Sequence, residues 1–195
     1  DQMLISVWRH KKNESGVLLD VGVHYADMME YLLGEIESVY AKIRLHEPIR
    51  QNRRAGASDP AGVYGKWQRE MPTEFEATAE DAAYATLQFK SGAVGQYIED
   101  HAGRGDGLWA RQIHGSLGSM TLPGDLSGRP IQLNLHGKGK IDSDQILELV
   151  PDFRLDPVTS SLFGGDRLWN YQYPFNETDR KLLAFEYGEF AQAIA

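Results

Sequence analysis

Residues Ser15 to Gly34 read SGVLLDVGVHYADMMEYLLG, and the reading of this stretch decides how the rest of the chain is organised. At about 3.6 residues per turn, Asp20, His24, Asp27 and Tyr31 fall on one polar line. Val17, Val21, Met28 and Leu32 form an apolar stripe at the same spacing, which Leu18, Gly22, Ala26, Met29 and Leu33 widen. The period predicts a helix with Ser15 as its N-cap and Gly34 as its C-terminal stop. An acid and an imidazole one turn apart on an otherwise apolar helix have two readings. One is a structural hydrogen bond that holds the helix; the other is a catalytic base with its orienting carboxylate. Spacing alone leaves both open.

Downstream, Glu35 to Leu45 alternates as a half-buried strand, with a slip near Ser38. His46 to Thr78 holds no period and reads as an arm, a lid or a disordered loop, and Arg50, Arg53 and Arg54 read as part of a solvated loop. Glu80 to Glu99 reads as a hairpin turning at Lys90-Ser91-Gly92. A glycine-rich loop from His101 to Arg111 leads to a second hairpin turning at Ser116-Leu117-Gly118. Pro130 to Leu135 and Gln145 to Val150 read as a third pair around Gly137-Lys138-Gly139. Pro151 to Pro174 is irregular, and from Glu177 a helix carries Leu182, Phe185, Phe190 and Ile194 roughly on one side. Upstream, Met3 to Trp8 leans towards a strand and Arg9 to Glu14 is a polar connection. The expectation is an α+β fold: an open, mostly antiparallel sheet of about six to seven strands, with helices on one face. The bare face then calls for a partner subunit.

The bulk numbers exclude several classes. At 195 residues the chain is long enough for one domain with a real core. A net charge of −8 argues against a nucleic-acid footprint, which needs clustered excess Lys and Arg. With no cysteine there is no disulfide, thiolate site or thiol nucleophile, which fits a reducing compartment, and the expected location is cytoplasmic. No apolar run reaches membrane-spanning length, and the first residues are not a signal peptide. DQMLISVWRH reads as a strand entered partway and AFEYGEFAQAIA as a helix cut short, so a fragment of a longer protein is the expectation. Gly103, Gly105 and Gly107 make a GxGxG string, but the residues after it do not open a helix to hold a pyrophosphate. No metal-binding cluster completes around Asp20 and His24. Of the other histidines, His10, His46 and His136 lie near strand ends, where surface placement is the default. His114 lies mid-strand, and His101 ends a strand and opens the glycine-rich loop.

Three stretches, taken together, resemble the C-terminal domain of the Gfo/Idh/MocA oxidoreductases. SGVLLDVGVHYADMMEYLLG is similar to the family's GGGxLxDxGxHxxDxxxxLxG, EDAAYATLQFKSGAVGQY to its EDxxxxxLxFxxGxxg hairpin, and IHGSLGSMTLPG to its IxGsxGxlxl strand pair. The resemblance implies a two-domain enzyme whose N-terminal Rossmann domain binds NAD or NADP and lies outside residues 1–195. Residues 1–195 are then the substrate-binding and oligomerisation domain, truncated at the C-terminus, forming a homo-oligomer (dimer or tetramer) through the open sheet face. By the match, His24 is the acid/base at a sugar or polyol hydroxyl and Asp20 orients it, while Asp27 is structural. His101, Arg104, Asp106 and Trp109 lie where the family places substrate contacts. Imidazole suits the role because it titrates near neutral pH and can take and return the hydroxyl proton. The alternatives are a nicotinamide-recycling epimerase, hydratase or glycosidase of the same family, or a non-catalytic assembly domain. Two departures stand out: Asn13-Glu14-Ser15-Gly16 replaces the usual glycines, and the Glu-Lys-Pro motif of the Rossmann domain is missing. The chain alone is expected to be inactive.

Overall fold

The computed structural model describes residues 6–53, 55–56, 65–168 and 170–194. They fall into two compact units, Asp1–Gly107 and Leu108–Ala195. Met3 to Ile5 of the expected Met3–Trp8 strand, Arg54, the middle of the 46–78 segment and Trp169 lie outside the described residues.

In the first unit the described chain starts with a 3-10 turn, Val7–His10, where a strand leading into a polar connection was expected. A single π turn, Leu18–Gly22, runs into helix α1, Val23–Leu33. Gly34 ends the helix as expected, with φ +89° and its N–H on the Glu30 carbonyl. A sheet of order β1-β4-β5 follows, from Ile36–Arg44, Ala82–Phe89 and Val94–Asp100. All pairs are antiparallel, and the ladder slips between Ile36 and Ser38, where the sequence pattern also slips. The register puts Val39, Ala41 and Ile43 in line with Leu87, Ala85 and Ala83, and Gly95, Tyr97 and Glu99 with the same β4 residues. The helix lies on this side, since Tyr25 of α1 meets the Tyr97 ring at 6.1 Å. Leu87 and Phe89 are buried there, each worth about 2 kcal/mol or more of transfer energy. The opposite side shows Tyr40, Ile98 and Val94, all more than 60% exposed.

The segment read as an arm is better built than its composition suggests. β2, Ile49–Gln51, pairs with β3, Glu74–Glu76, and α2, Gly65–Glu70, lies between them in sequence. Arg50 is not a solvated loop residue. It is 2% exposed and held by Asp81 at 3.2 Å and Glu47 at 3.4 Å. Asp81 also accepts the backbone N–H groups of His46 and Glu47. A buried guanidinium is tolerable only with such partners.

The second unit is a four-stranded antiparallel meander: β6, Gln112–Gly115; β7, Gly118–Thr121; β8, Gln132–Leu135; β9, Gly139–Ile141. The second hairpin turns where expected, but the third closes early. Gln145–Val150 does not form its return strand; Ile146–Leu149 is a helical turn, α3. Inside the stretch read as irregular, Pro157–Phe163 forms α4. Asp156 caps it through the Val158 and Thr159 N–H groups, and Gly164 ends it at φ +87°. Helix α5, Phe175–Ile194, follows, and its Lys181 ammonium stands 4.5 Å from the Tyr173 ring centroid. The α+β class and antiparallel pairing match the sequence reading; the nine described strands are divided among three sheets. Among the described residues no helix is long and apolar enough to cross a membrane.

Candidate active site

The helix that carries Asp20 and His24 is capped from far along the chain. Ser15 was the expected N-cap, but its hydroxyl turns to the Gly16 carbonyl, and the Leu18 N–H donates instead to Glu80 Oε1 at 3.2 Å. Gly16 makes room for that carboxylate, because a Cβ there would overlap it. A carboxylate at a helix N-terminus also faces the positive end of the helix dipole. The widened turn that follows, Leu18–Gly22, contains Asp20, and such π turns recur at functional sites.

Asp20 turns to Arg9 rather than to His24. Arg9 Nε reaches the carboxylate at 2.8 Å with both side chains largely buried, and the Arg9 guanidinium also lies 4.7 Å from the Trp8 ring centroid. Around this pair is a polar cleft of about 20 Å³, lined by Arg9, His10, Asp20, Arg50, Glu80, Asp81 and His101 with Val17 and Val21. That volume suits a water molecule or a single hydroxyl of a larger molecule, not a whole sugar.

The imidazoles of the cleft are held differently. His10, placed at the surface by the sequence reading, is 7% exposed and packs at 5.3 Å against the Phe75 ring. Burial, aided by the Arg50 charge, lowers its pKa to about 4, so it is neutral near pH 7. Its carbonyl accepts both the Thr78 and Ala79 N–H groups, which fixes it from the segment before β4. His101 Nε2 lies 2.7 Å from Glu99 Oε1, and the Tyr97 hydroxyl donates to Glu99 Oε2. Burial, together with the Glu99 bond, pushes the Tyr97 phenol well above the ordinary range.

Of the residues expected from sequence, Asp20 and His101 line the same cleft. His24 follows on the first turn of α1 and is exposed, as are Arg104 and Asp106 in the coil after His101. Trp109 belongs to the second unit, 60% exposed, with the Arg111 guanidinium 4.9 Å from its ring centroid. Gly103, Gly105 and Gly107 run through coil without a helix behind them. Arg9, His10, Arg50, Tyr97 and Glu99 were not anticipated. For Tyr97, Glu99 and His101 the signal was available, because positions two apart at a strand end share a face.

A profile described as the GFO/IDH/MocA C-terminal domain matches residues 4–121. Levoglucosan dehydrogenase from Pseudarthrobacter phenanthrenivorans is 30% identical over 118 residues, 59% of this chain and 29% of that protein. An NAD binding oxidoreductase from Klebsiella pneumoniae superposes with a TM-score of 0.57 at 22% identity, covering 90% of this chain and 42% of that one. An oxidoreductase from Agrobacterium radiobacter, solved with NAD+, L-tartaric acid and magnesium, gives 0.52 at 16% identity over 92% and 39%. These two likenesses are of fold, and the chain spans less than half the length of each of the three relatives. With more than half of its residues matched by the profile, the chain belongs to the Gfo/Idh/MocA oxidoreductase family.

Proposed function

We propose that this chain is the substrate-side and assembly domain of an NAD-dependent dehydrogenase that oxidises a hydroxyl of a sugar, an anhydrosugar or a polyol. The observation that carries the reading is Asp20 on a π turn, locked by Arg9 over a polar cleft, with His24 exposed one turn further on. The 30% identity to levoglucosan dehydrogenase supports the substrate class. In the proposed reaction His24 takes the proton of the reacting hydroxyl, which an accessible imidazole does well near neutral pH. Asp20 orients the site through its ion pair with Arg9. His101, Arg104 and Asp106 bind the other hydroxyls. In this reading the chain works on the substrate, and NAD is held mainly by a dinucleotide-binding domain outside residues 1–195.

The test is turnover of the whole protein with NAD and a panel of levoglucosan, L-sorbose and inositol, followed as NADH absorbance. His24→Ala is expected to lower kcat by about a hundredfold or more. Undiminished turnover in that variant would remove His24 from the reaction, and turnover without net NADH would favour an epimerase, hydratase or glycosidase cycle.

The bare side of the β1-β4-β5 sheet, with Tyr40, Val94 and Ile98 exposed, is the proposed contact between copies. Light scattering is expected to give a dimer or tetramer at micromolar concentration. Ile98→Lys is expected to shift it to monomer, and a wild-type monomer would count against this face.

A further inference from the structure

β5 and the residue that follows it end YIEDH, and the alternate residues Tyr97, Glu99 and His101 form a continuous chain of hydrogen bonds leading into the cleft. Glu99 is 8% exposed, and both of its oxygens are engaged, Oε2 by the Tyr97 hydroxyl and Oε1 by His101 Nε2. The arrangement is roofed by the helix at Gly22. A Cβ there would come within 3.1 Å of the Tyr97 hydroxyl and 3.3 Å of Glu99 Oε2, tighter than ordinary contact. The residue that allows this approach is two positions from Asp20, on the same π turn.

An ionised carboxylate only accepts hydrogen bonds. With the phenol donating to one oxygen, the other oxygen requires a donor from the imidazole, which places the His101 proton on Nε2. In the neutral ring Nδ1 is then a lone-pair acceptor, and its proton-bearing partner must come from elsewhere. We infer that Glu99, backed by Tyr97, is a positioning residue that locks His101 in the Nε2–H form, so that Nδ1 accepts a hydrogen bond from a substrate hydroxyl. Substrate groups that only accept, such as a carbonyl or a carboxylate, find no donor at that nitrogen. The device selects a hydroxyl at this subsite and leaves proton removal to His24. The substrate class rests on the dehydrogenase reading; the locked tautomer does not.

Two measurements separate these. Two-bond proton–nitrogen correlation spectra of the histidine-labelled 195-residue chain near pH 7.5, assigned with His101→Gln, are expected to show His101 in the Nε2–H pattern. Glu99→Gln, which presents an amide in place of one oxygen, is expected to move His101 towards the Nδ1–H pattern while the amide spectrum stays folded. A wild-type ring in the Nδ1–H pattern would overturn the inference without any variant, and so would a Glu99→Gln spectrum identical to the wild type. In the whole protein with NAD and levoglucosan, Glu99→Gln is expected to raise KM about tenfold, the scale of one lost hydrogen bond, with a smaller change in kcat. Unchanged KM in a protein that turns levoglucosan over would overturn the subsite role. Absence of turnover in the wild type would instead strike the dehydrogenase reading and leave the spectra to decide the tautomer.

Discussion

His10 shows what burial does to a single residue here. Its pKa falls from the ordinary 6.5 to about 4 in the folded chain. Between those pH values the unfolded chain binds a proton that the folded one refuses. The stability associated with neutral His10 is therefore complete above pH 6.5 and is lost as pH falls towards 4, by about 3 kcal/mol. Urea midpoints measured from pH 7 to 4 are expected to fall less steeply in His10→Gln than in the wild type. Parallel slopes would show that His10 does not carry this term. At this scale the sequence was partly readable. Asp20 and His24 stood out because their helix has a period. His10 and Arg50 did not, since nothing beside them in the chain shows that Phe75 and Asp81 will bury them. A residue's burial is decided by distant neighbours, whereas a stripe is decided by near ones.

Turns proved the most legible elements. Gly92 sits at φ +86° in the hairpin turn expected of it, and Gly118 at φ +154° where the second hairpin turn enters β7. Gly118 is also pressed against the next strand, where a Cβ would overlap the Asn134 carbonyl oxygen and lie 3.0 Å from Leu135 Cα. Backbone cannot swing aside as a side-chain end can. Gly118→Ala is therefore expected to cost about 2 kcal/mol or more and lower the melting temperature of the second unit. An unchanged melt by circular dichroism would contradict that packing. The elements that escaped were short or irregular. Helix α4 has only 7 residues, although its Asp156-Pro157 start and Gly164 stop are both in the sequence. The π turn at Leu18–Gly22 has no period of its own; it reflects contacts that Arg9 and Glu80 bring from outside the helix.

The buried apolar residues are unevenly shared across the molecule. Met71, Ala77, Ala79, Ala82, Ala83, Leu87 and Phe89 belong to the first unit, against Ile146 alone among the described residues of the second. Residues 1–107 expressed alone are expected to unfold cooperatively in urea, and residues 108–195 alone without a sharp transition. Broad unfolding of residues 1–107 would show that their core is insufficient. The α+β class was legible from hairpin spacing, but the division into units was not, because it depends on where contacts thin out and not on any local pattern. The Glu80 cap on Leu18 has a consequence for the order in which the molecule assembles. The helix bearing the two proposed active-site residues is completed by a side chain 62 positions later, so its first turn closes only after that loop has been gathered in. Cut out as a peptide, residues 15–34 would lack the acceptor that starts them and would be at best marginally helical.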